Sequence, residues 1–220
     1  MRRVKNILTQ KTKLSNDDAA IGIGSLIIFI AMILVAGIAA SVIIQTMNSL
    51  QQQALLTGEQ TIRDISSGVR VTHVSGYNNG SKITQLAVFV RTTAGSNDIN
   101  LSSTYISLSD SAKHVVLNYT TKCFSSKVSN GLFNTLNSSN LTSTTYGIMV
   151  VRDIDSSCTM SSPTINDDDL VVLLINATKC FSGISTRTDV SGSIVPEYGI
   201  NGVISFTTPS VYVDPIVELQ

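Results

Sequence analysis

From Ile21 to Ile44 almost every position is apolar, with no polar face at any helical or strand spacing. About 20 apolar residues suffice to cross a bilayer, and this run exceeds that. No charged residue lies between Asp18 and Glu59. The run then passes without proline into "QTMNSLQQQALLTGEQTIRDISSG". There Leu50, Ala54, Leu55, Ile62 and Ile65 keep a helical spacing. The pattern predicts one helix from about Gly22 to Ser67, with Gly68 ending it. At 1.5 Å per residue such a helix is roughly 70 Å long, apolar all round in its first half and amphipathic in its second.

Beyond Gly68 the period changes from 3.6 to 2, or to short apolar runs. "GVRVTHV", "KITQLAVFVRT", "TYISLSD", "HVVLNY", "YGIMVVRD", "DLVVLLIN", "SGSIVP" and "GVISFTT" read as strands separated by Gly, Asn, Asp and Ser clusters. Eight short strands punctuated in this way predict an antiparallel β-sandwich. The fold class is therefore α+β, a long hydrophobic helix followed by a β head. Residues 120–145 and 154–168 read as loops.

Charge sharpens the picture at the N-terminus. Arg2, Arg3, Lys5, Lys11 and Lys13 stand against Asp17 and Asp18, while the whole chain is formally neutral. A basic flank before an apolar span holds that end in the cytoplasm and places the head outside. The rest of the chain is net acidic, which excludes a broad nucleic-acid-binding face. A secretory leader would have a shorter apolar core and a small-residue cleavage site after it. A simple signal-anchor explains the apolar half but not the step from charge to small residues at Asp17-Asp18-Ala19-Ala20.

The stretch "AIGIGSLIIFIAMILVAGIAASVIIQTMNSLQQQA" resembles the N-terminal helix of archaeal flagellins (archaellins), members of the type IV pilin-like superfamily. The likeness extends through "LAVFVRTTAGSNDINLSSTYISLSD", "DLVVLLIN" and "VPEYGINGVISFTTPSVY", and implies an immunoglobulin-like head. It also implies that a prepilin-type signal peptidase cuts between Ala19 and Ala20, with Gly22 at the third mature position. The chain then divides into a signal peptide (1–19), a filament-core helix (20–67) and an outer β domain (68–220). Asp17 and Asp18 stand where the family often has Lys or Arg. Gly24 occupies the fifth mature position, where bacterial-type pilins carry Glu.

The resemblance implies a homo-oligomeric helical filament, the archaellum, on the outside of an archaeal cell and used for swimming. The precursor waits in the cytoplasmic membrane. Apolar side chains are at home in lipid or among sister helices, so small residues decide which helices approach. Gly22, Gly24, Ala31, Ala36, Gly37, Ala39 and Ala40 suit that role. Two alternatives are a non-rotating adhesion pilin and a membrane-anchored surface module that never polymerises.

Catalytic chemistry is not expected. His73 and His114 fall on separate predicted strands, and no nucleophile elbow, zinc-protease, phosphate-loop or dinucleotide pattern occurs. "INDDDL" at 165–170 lacks the spacing of a calcium loop and reads as a charged turn, so neither metal nor cofactor is expected. Sequons fall at Asn79, Asn100, Asn118, Asn137, Asn140 and Asn176, all in the head. An N-linked glycan is therefore an expected partner, as the family resemblance also implies. Of the thiols, Cys123 and Cys180 emerge at one end if strand 146–153 forms hairpins with both its neighbours. A Cys123–Cys180 disulfide with Cys158 free is then expected, although three thiols allow three pairings.

Overall fold

The computed structural model describes residues 2–220, with side chains described from Ala20 onward. Two compact units divide the chain, Met1–Gly58 and Glu59–Gln220.

The first unit is helical. Helix α1 runs Arg2–Ser66, and its last turns belong to the second unit. Its apolar side chains are exposed on every side, Ile21, Leu26, Ile27, Phe29, Ile33 and Ile38 among them. Over Ala20–Ser66 the helix is long and apolar enough to cross a membrane. Nothing within 4 Å would meet a side chain added at Gly22, Gly24 or Gly37. A helix this apolar all round, bare in the single chain, requires lipid or other helices around it. The expected leader residues, Ala19 and the charges before it, lie outside the described side chains.

The second unit holds all eight predicted strands and three short ones. They are β1 (Val69–Asn78), β2 (Ile83–Thr92), β3 (Ile99–Asn100), β4 (Tyr105–Ser109), β5 (His114–Ser125), β6 (Thr145–Arg152), β7 (Thr164–Ile165), β8 (Leu170–Ile175), β9 (Asp189–Val195), β10 (Gly202–Thr207) and β11 (Ile216–Glu218). A short helix, α2, spans Ala177–Phe181. Nine strands share one sheet in the order β10-β9-β4-β5-β6-β8-β2-β1-β11, while β3 and β7 pair separately. The sheet folds over so that its two halves face each other. Val88, Ile148 and Leu173 of one half share a core with Ile106, Leu117 and Ile204 of the other.

One pair departs from the antiparallel expectation, since β5 and β6 run parallel. Parallel neighbours need a long crossover. Segment 126–144 supplies it and lies on the outer face of the sheet. Phe133, Leu136 and Leu141 there cover Ala87, Met149, Val172 and Leu174, which point away from the main core. The period of 2 thus serves two cores. Consecutive residues of β8, Val172 and Leu173, feed opposite faces, which is why that strand reads as an unbroken apolar run.

That arrangement corrects the cysteine expectation. All three thiols are free and buried. Cys123 packs in the outer-face cluster beside Leu136, whereas Cys180 and Cys158 belong to the main core. The Cys123 thiol donates to the Asn137 carbonyl at 3.4 Å and that of Cys180 to the Ser143 carbonyl at 3.7 Å. The expected Cys123–Cys180 bond presumed an antiparallel β5. In the structure β5 is parallel to β6, and the two thiols pack in different clusters, Cys123 with Leu136 and Cys180 in the main core.

Candidate functional site

Three features of the second unit are candidates for a functional role, and each begins in local sequence. The first is the junction between helix and head. Helix α1 ends without the expected glycine cap; instead Gly68 forms a parallel bridge with Ile200. A Cβ at Gly68 would lie 2.9 Å from that of Ile200. Ile200 donates to the Ser67 carbonyl at 2.9 Å, and Val69 donates to the Ile200 carbonyl at 3.0 Å. Thr93 donates to the Gly68 carbonyl at 2.9 Å, and Asn97 donates to Ser67 Oγ at 3.1 Å. Arg63 lies over the Tyr198 ring, 5.7 Å from its centroid, and the Tyr198 hydroxyl reaches the Asp98 carbonyl. Gly199 has φ of +93°, and a Cβ there would sit 2.2 Å from the Ser67 carbonyl oxygen. The two residues that follow the helix, Ser67 and Gly68, are thus fixed to the head by hydrogen bonds with Ile200, Thr93 and Asn97.

The second feature is a carboxylate group that the sequence reading missed. Asp153 and Asp155 follow β6, and Asp169 precedes β8; one oxygen of each lies within 4.8 Å of the others. Of the "INDDDL" run only Asp169 takes part. Asp167 bonds Gly95 N and the Thr92 hydroxyl, and Asp168 faces Arg152 at 3.8 Å. The Asp153 carboxylate accepts from Ser156 N and Cys158 N, and that of Asp155 accepts from Ser157 N and Asn166 Nδ2. Asp169 is 1% exposed, and its Oδ1 has no hydrogen-bond partner. Burial pushes the Asp169 carboxyl up, with the charges of Asp153 and Asp155 adding to it, while hydrogen bonds from Ser157 hold Asp155 down. The same burial, with Asp153 beside it, pushes the Cys158 thiol up to about 12. Such an all-oxygen donor set suits a hard divalent cation such as Ca²⁺. The usable signal was the D-x-D of Asp153-Ile154-Asp155 after a strand.

A stability experiment reads this site. The raised Asp169 pKa means that the folded chain binds that proton more tightly than the unfolded chain. Its contribution is present below the ordinary carboxylate range and is lost as pH rises to the raised value. Near neutral pH the buried charge opposes folding, and a bound cation would relieve it. Calcium at ~100 times its dissociation constant is expected to stabilise the head by about 2–3 kcal/mol. For a domain of this size that is a Tm rise of roughly 5–10 °C, reversed by chelator. Asp169→Asn should abolish both the calcium response and the Asp169 part of the pH slope. An equal calcium response in the variant would show that the cation acts elsewhere.

The third feature is the set of sequons, which the structure separates. Asn79 lies exposed in the β1–β2 turn, its Oδ1 accepting from Ser81 and Lys82 N–H groups. Asn118, Asn137 and Asn140 are exposed, and Asn137 Oδ1 accepts from Ser139 N. Asn100 is half-buried at the start of a 3₁₀ turn. Asn176 is 8% exposed and is engaged at both ends of its amide. It caps α2 by accepting from Lys179 N, and its Nδ2 donates to the Ser138 carbonyl at 2.9 Å.

The histidines stand apart on β1 and β5, each paired at 2.8 Å with a serine hydroxyl, Ser75 for His73 and Ser107 for His114. Among the described residues the two histidines do not meet each other, and His73 also packs against Phe89 with ring centroids 5.4 Å apart.

Comparison with known proteins is consistent across sequence and structure. Residues 19–206 match the family description "archaeal-type flagellin". Flagellin B2 of Methanocaldococcus jannaschii is 40% identical over 211 residues, covering 94% of this chain and 97% of that protein. Flagellin B4 of Pyrococcus abyssi is 42% identical, covering 91% and 98%. The crystal structure of archaeal flagellin FlaB1 from Methanocaldococcus jannaschii superposes with a TM-score of 0.63 at 33% identity, over 70% of this chain and 97% of that one. The archaeal flagellum of Methanospirillum hungatei shares the fold, with a TM-score of 0.61 at 15% identity, over 87% and 95%.

Proposed function

This chain belongs to the archaeal-type flagellin family, and we propose that it enters its filament as a mature subunit beginning at Ala20. It is a structural subunit of the archaellum, the extracellular swimming filament, and not an enzyme. The observation that carries the mechanical reading is the bare, all-round apolar helix from Ile21 to Ile44 joined to a clamped head. In lipid that helix holds the precursor. Removal of residues 1–19 by a prepilin-type signal peptidase takes away the basic flank that fixes its topology. The helix then exchanges lipid for sister helices, and the heads form the outer wall.

Processing is tested by N-terminal sequencing of sheared filaments, which is expected to start at Ala20. A Gly22→Val precursor should accumulate uncut in the membrane. Filament subunits that retain Met1 would refute this reading.

We further infer that glycans are carried on Asn79, Asn118, Asn137 and Asn140, where the amide is exposed. Asn100 is a poorer acceptor, and Asn176 is used only if it is modified before the head closes. Each Asn→Gln change at the four exposed positions should remove one glycan mass from the intact subunit; those at Asn118 and Asn140 should leave stability within about 0.5 kcal/mol, while those at Asn79 and Asn137 also lose a turn or cap bond costing about 1 kcal/mol. Asn176→Gln should leave the mass pattern alone and destabilise the head by about 1 kcal/mol through the lost cap. Loss of a glycan mass in the Asn176 variant would reverse that assignment.

A further inference from the structure

Asparagine is followed by glycine at Asn79-Gly80, Asn130-Gly131 and Asn201-Gly202, all in the head. In such a pair the glycine carries no side chain to keep its nitrogen from the asparagine side-chain carbonyl. The dipeptide is the same each time, so its surroundings decide which one reacts.

Two of the pairs are held. Gly80 N donates to Asn78 Oδ1 at 2.8 Å, and Asn79 Oδ1 accepts from Ser81 N at 3.3 Å and Lys82 N at 3.2 Å. Attack there breaks the bond on the nitrogen and swings the amide out of its turn. Gly202 is buried in β10 opposite Ile194. Ser205 N points away from β9, to Gln220 Oε1, so by alternation Gly202 N points towards β9 and lies inside the ladder. Asn130 and Gly131 differ on each count. Both are exposed in the crossover segment, and nothing lies within 4 Å of a Cβ added at Gly131. Among the described residues nothing accepts from Gly131 N and nothing bonds the Asn130 side chain. The Thr135 hydroxyl accepts from Asn130 N at 3.3 Å and donates to the Gly131 carbonyl at 2.7 Å. It fixes the chain on both sides of the reacting nitrogen and leaves that nitrogen free. Asn130 lies outside the sequons, so no glycan competes for its amide.

We propose that Asn130 is a site of spontaneous deamidation in the folded head, with water as the co-reactant. Gly131 N gives its proton to solvent hydroxide and forms a bond to Asn130 Cγ, while Nδ2 leaves as ammonia with a proton from water. Water then opens the five-membered succinimide at either carbonyl, and the ring nitrogen recovers its hydrogen. The net change is amide plus water to carboxylate plus ammonium, in an aspartate or an isoaspartate linkage. Either product puts a negative charge on an exposed turn, three residues from Lys127. Isoaspartate also adds one carbon to the main chain inside the loop that Thr135 closes. Loss of ammonia to solvent makes the change irreversible, so the head gains charge with age at this turn. The site rests on the fold of the head and not on the filament reading.

The test follows peptide masses of the full chain, kept folded in mildly alkaline buffer, over time. Conversion of amide to acid is expected about tenfold faster at Asn130 than at Asn79, where a hydrogen bond on the nitrogen must first be given up. Asn79 is read on the fraction without a glycan, and Asn201 is expected to react more slowly still. Both linkages are expected at residue 130, because ring opening yields isoaspartate and direct hydrolysis does not. The rate is expected to rise with pH, since the nucleophile is the deprotonated nitrogen. Aspartate alone, or conversion first at Asn79 or Asn201, overturns the proposal. So does an Asn130 that stays an amide in the folded chain until the urea-unfolded chain has fully converted. Gly131→Ala places a methyl group beside the nitrogen and is expected to slow conversion several-fold while circular dichroism keeps the β signal. Equal conversion in that variant overturns attack by Gly131 N.

Discussion

Gly37→Leu is expected to leave export and cleavage intact while filaments become scarce or short. In the single chain nothing lies within 4 Å of the added Cβ. Leucine also favours helix over glycine by about 0.8–1 kcal/mol, so the isolated helix gains. A lipid anchor would tolerate or welcome the change for the same reason. In a packed bundle the extra side chain is overpacking, costing about 1–3 kcal/mol at each site. The penalty recurs in every subunit, so even its lower value shortens a polymer whose growth depends on each addition. Electron microscopy of sheared filaments, with immunoblotting of membrane precursor and mature subunit, separates assembly from processing. Normal filaments would remove Gly37 from the interface. Normal filaments from Leu at Ala36, Ala39 and Ala40 as well would undercut the packed helical core.

A comparable effect is expected inside the single chain at Gly199. An alanine there must adopt φ of +93° and place its Cβ 2.2 Å from the Ser67 carbonyl oxygen. That oxygen cannot retreat freely, because it accepts from Ile200 N, and Ile200 in turn accepts from Val69 N. The left-handed backbone costs about 1–2 kcal/mol, and the displaced carbonyl adds roughly 1–3 kcal/mol. The sum is a large part of the ~5–15 kcal/mol that stabilises an ordinary domain. Gly131→Ala is the control, since Gly131 has φ of +83° with nothing within 4 Å of the added atom. Thermal unfolding of the β signal should show a Tm drop of roughly 5–20 °C for Gly199→Ala and only a few degrees for the control. Equal drops would mean that the clamp at Ser67 yields without cost.

Much of this molecule follows from side-chain period alone. An all-apolar run has only one regular structure that satisfies its own backbone in lipid, so the helix was legible without any knowledge of the head. The eight strands were legible for a similar reason, since alternation fixes which residues share a face. Neither pattern says which strands meet. The parallel direction of β5 against β6 depends on segment 126–144 crossing the outer face, and that segment carries too few apolar residues to show a period. With that direction unknown, Cys123 and Cys180 looked like neighbours.

The pentapeptide "TKCFS" makes the division plain, because it occurs twice. At 121–125 it continues β5, where Phe124 and Ser125 pair with Ile148 and Met149. At 178–182 it turns into α2, capped by Asn176 and closed by Ser182 in the left-handed region. Identical local preferences gave two structures because a strand exists only where a partner offers its hydrogen bonds. The carboxylates obeyed the same rule. Asp153 and Asp155 meet Asp169 across the loop between two paired strands. Sequence determined what each segment was able to become, through periods written along the chain. Tertiary structure decided which distant groups became neighbours, because sheet register and crossover are set by contacts between residues far apart in sequence.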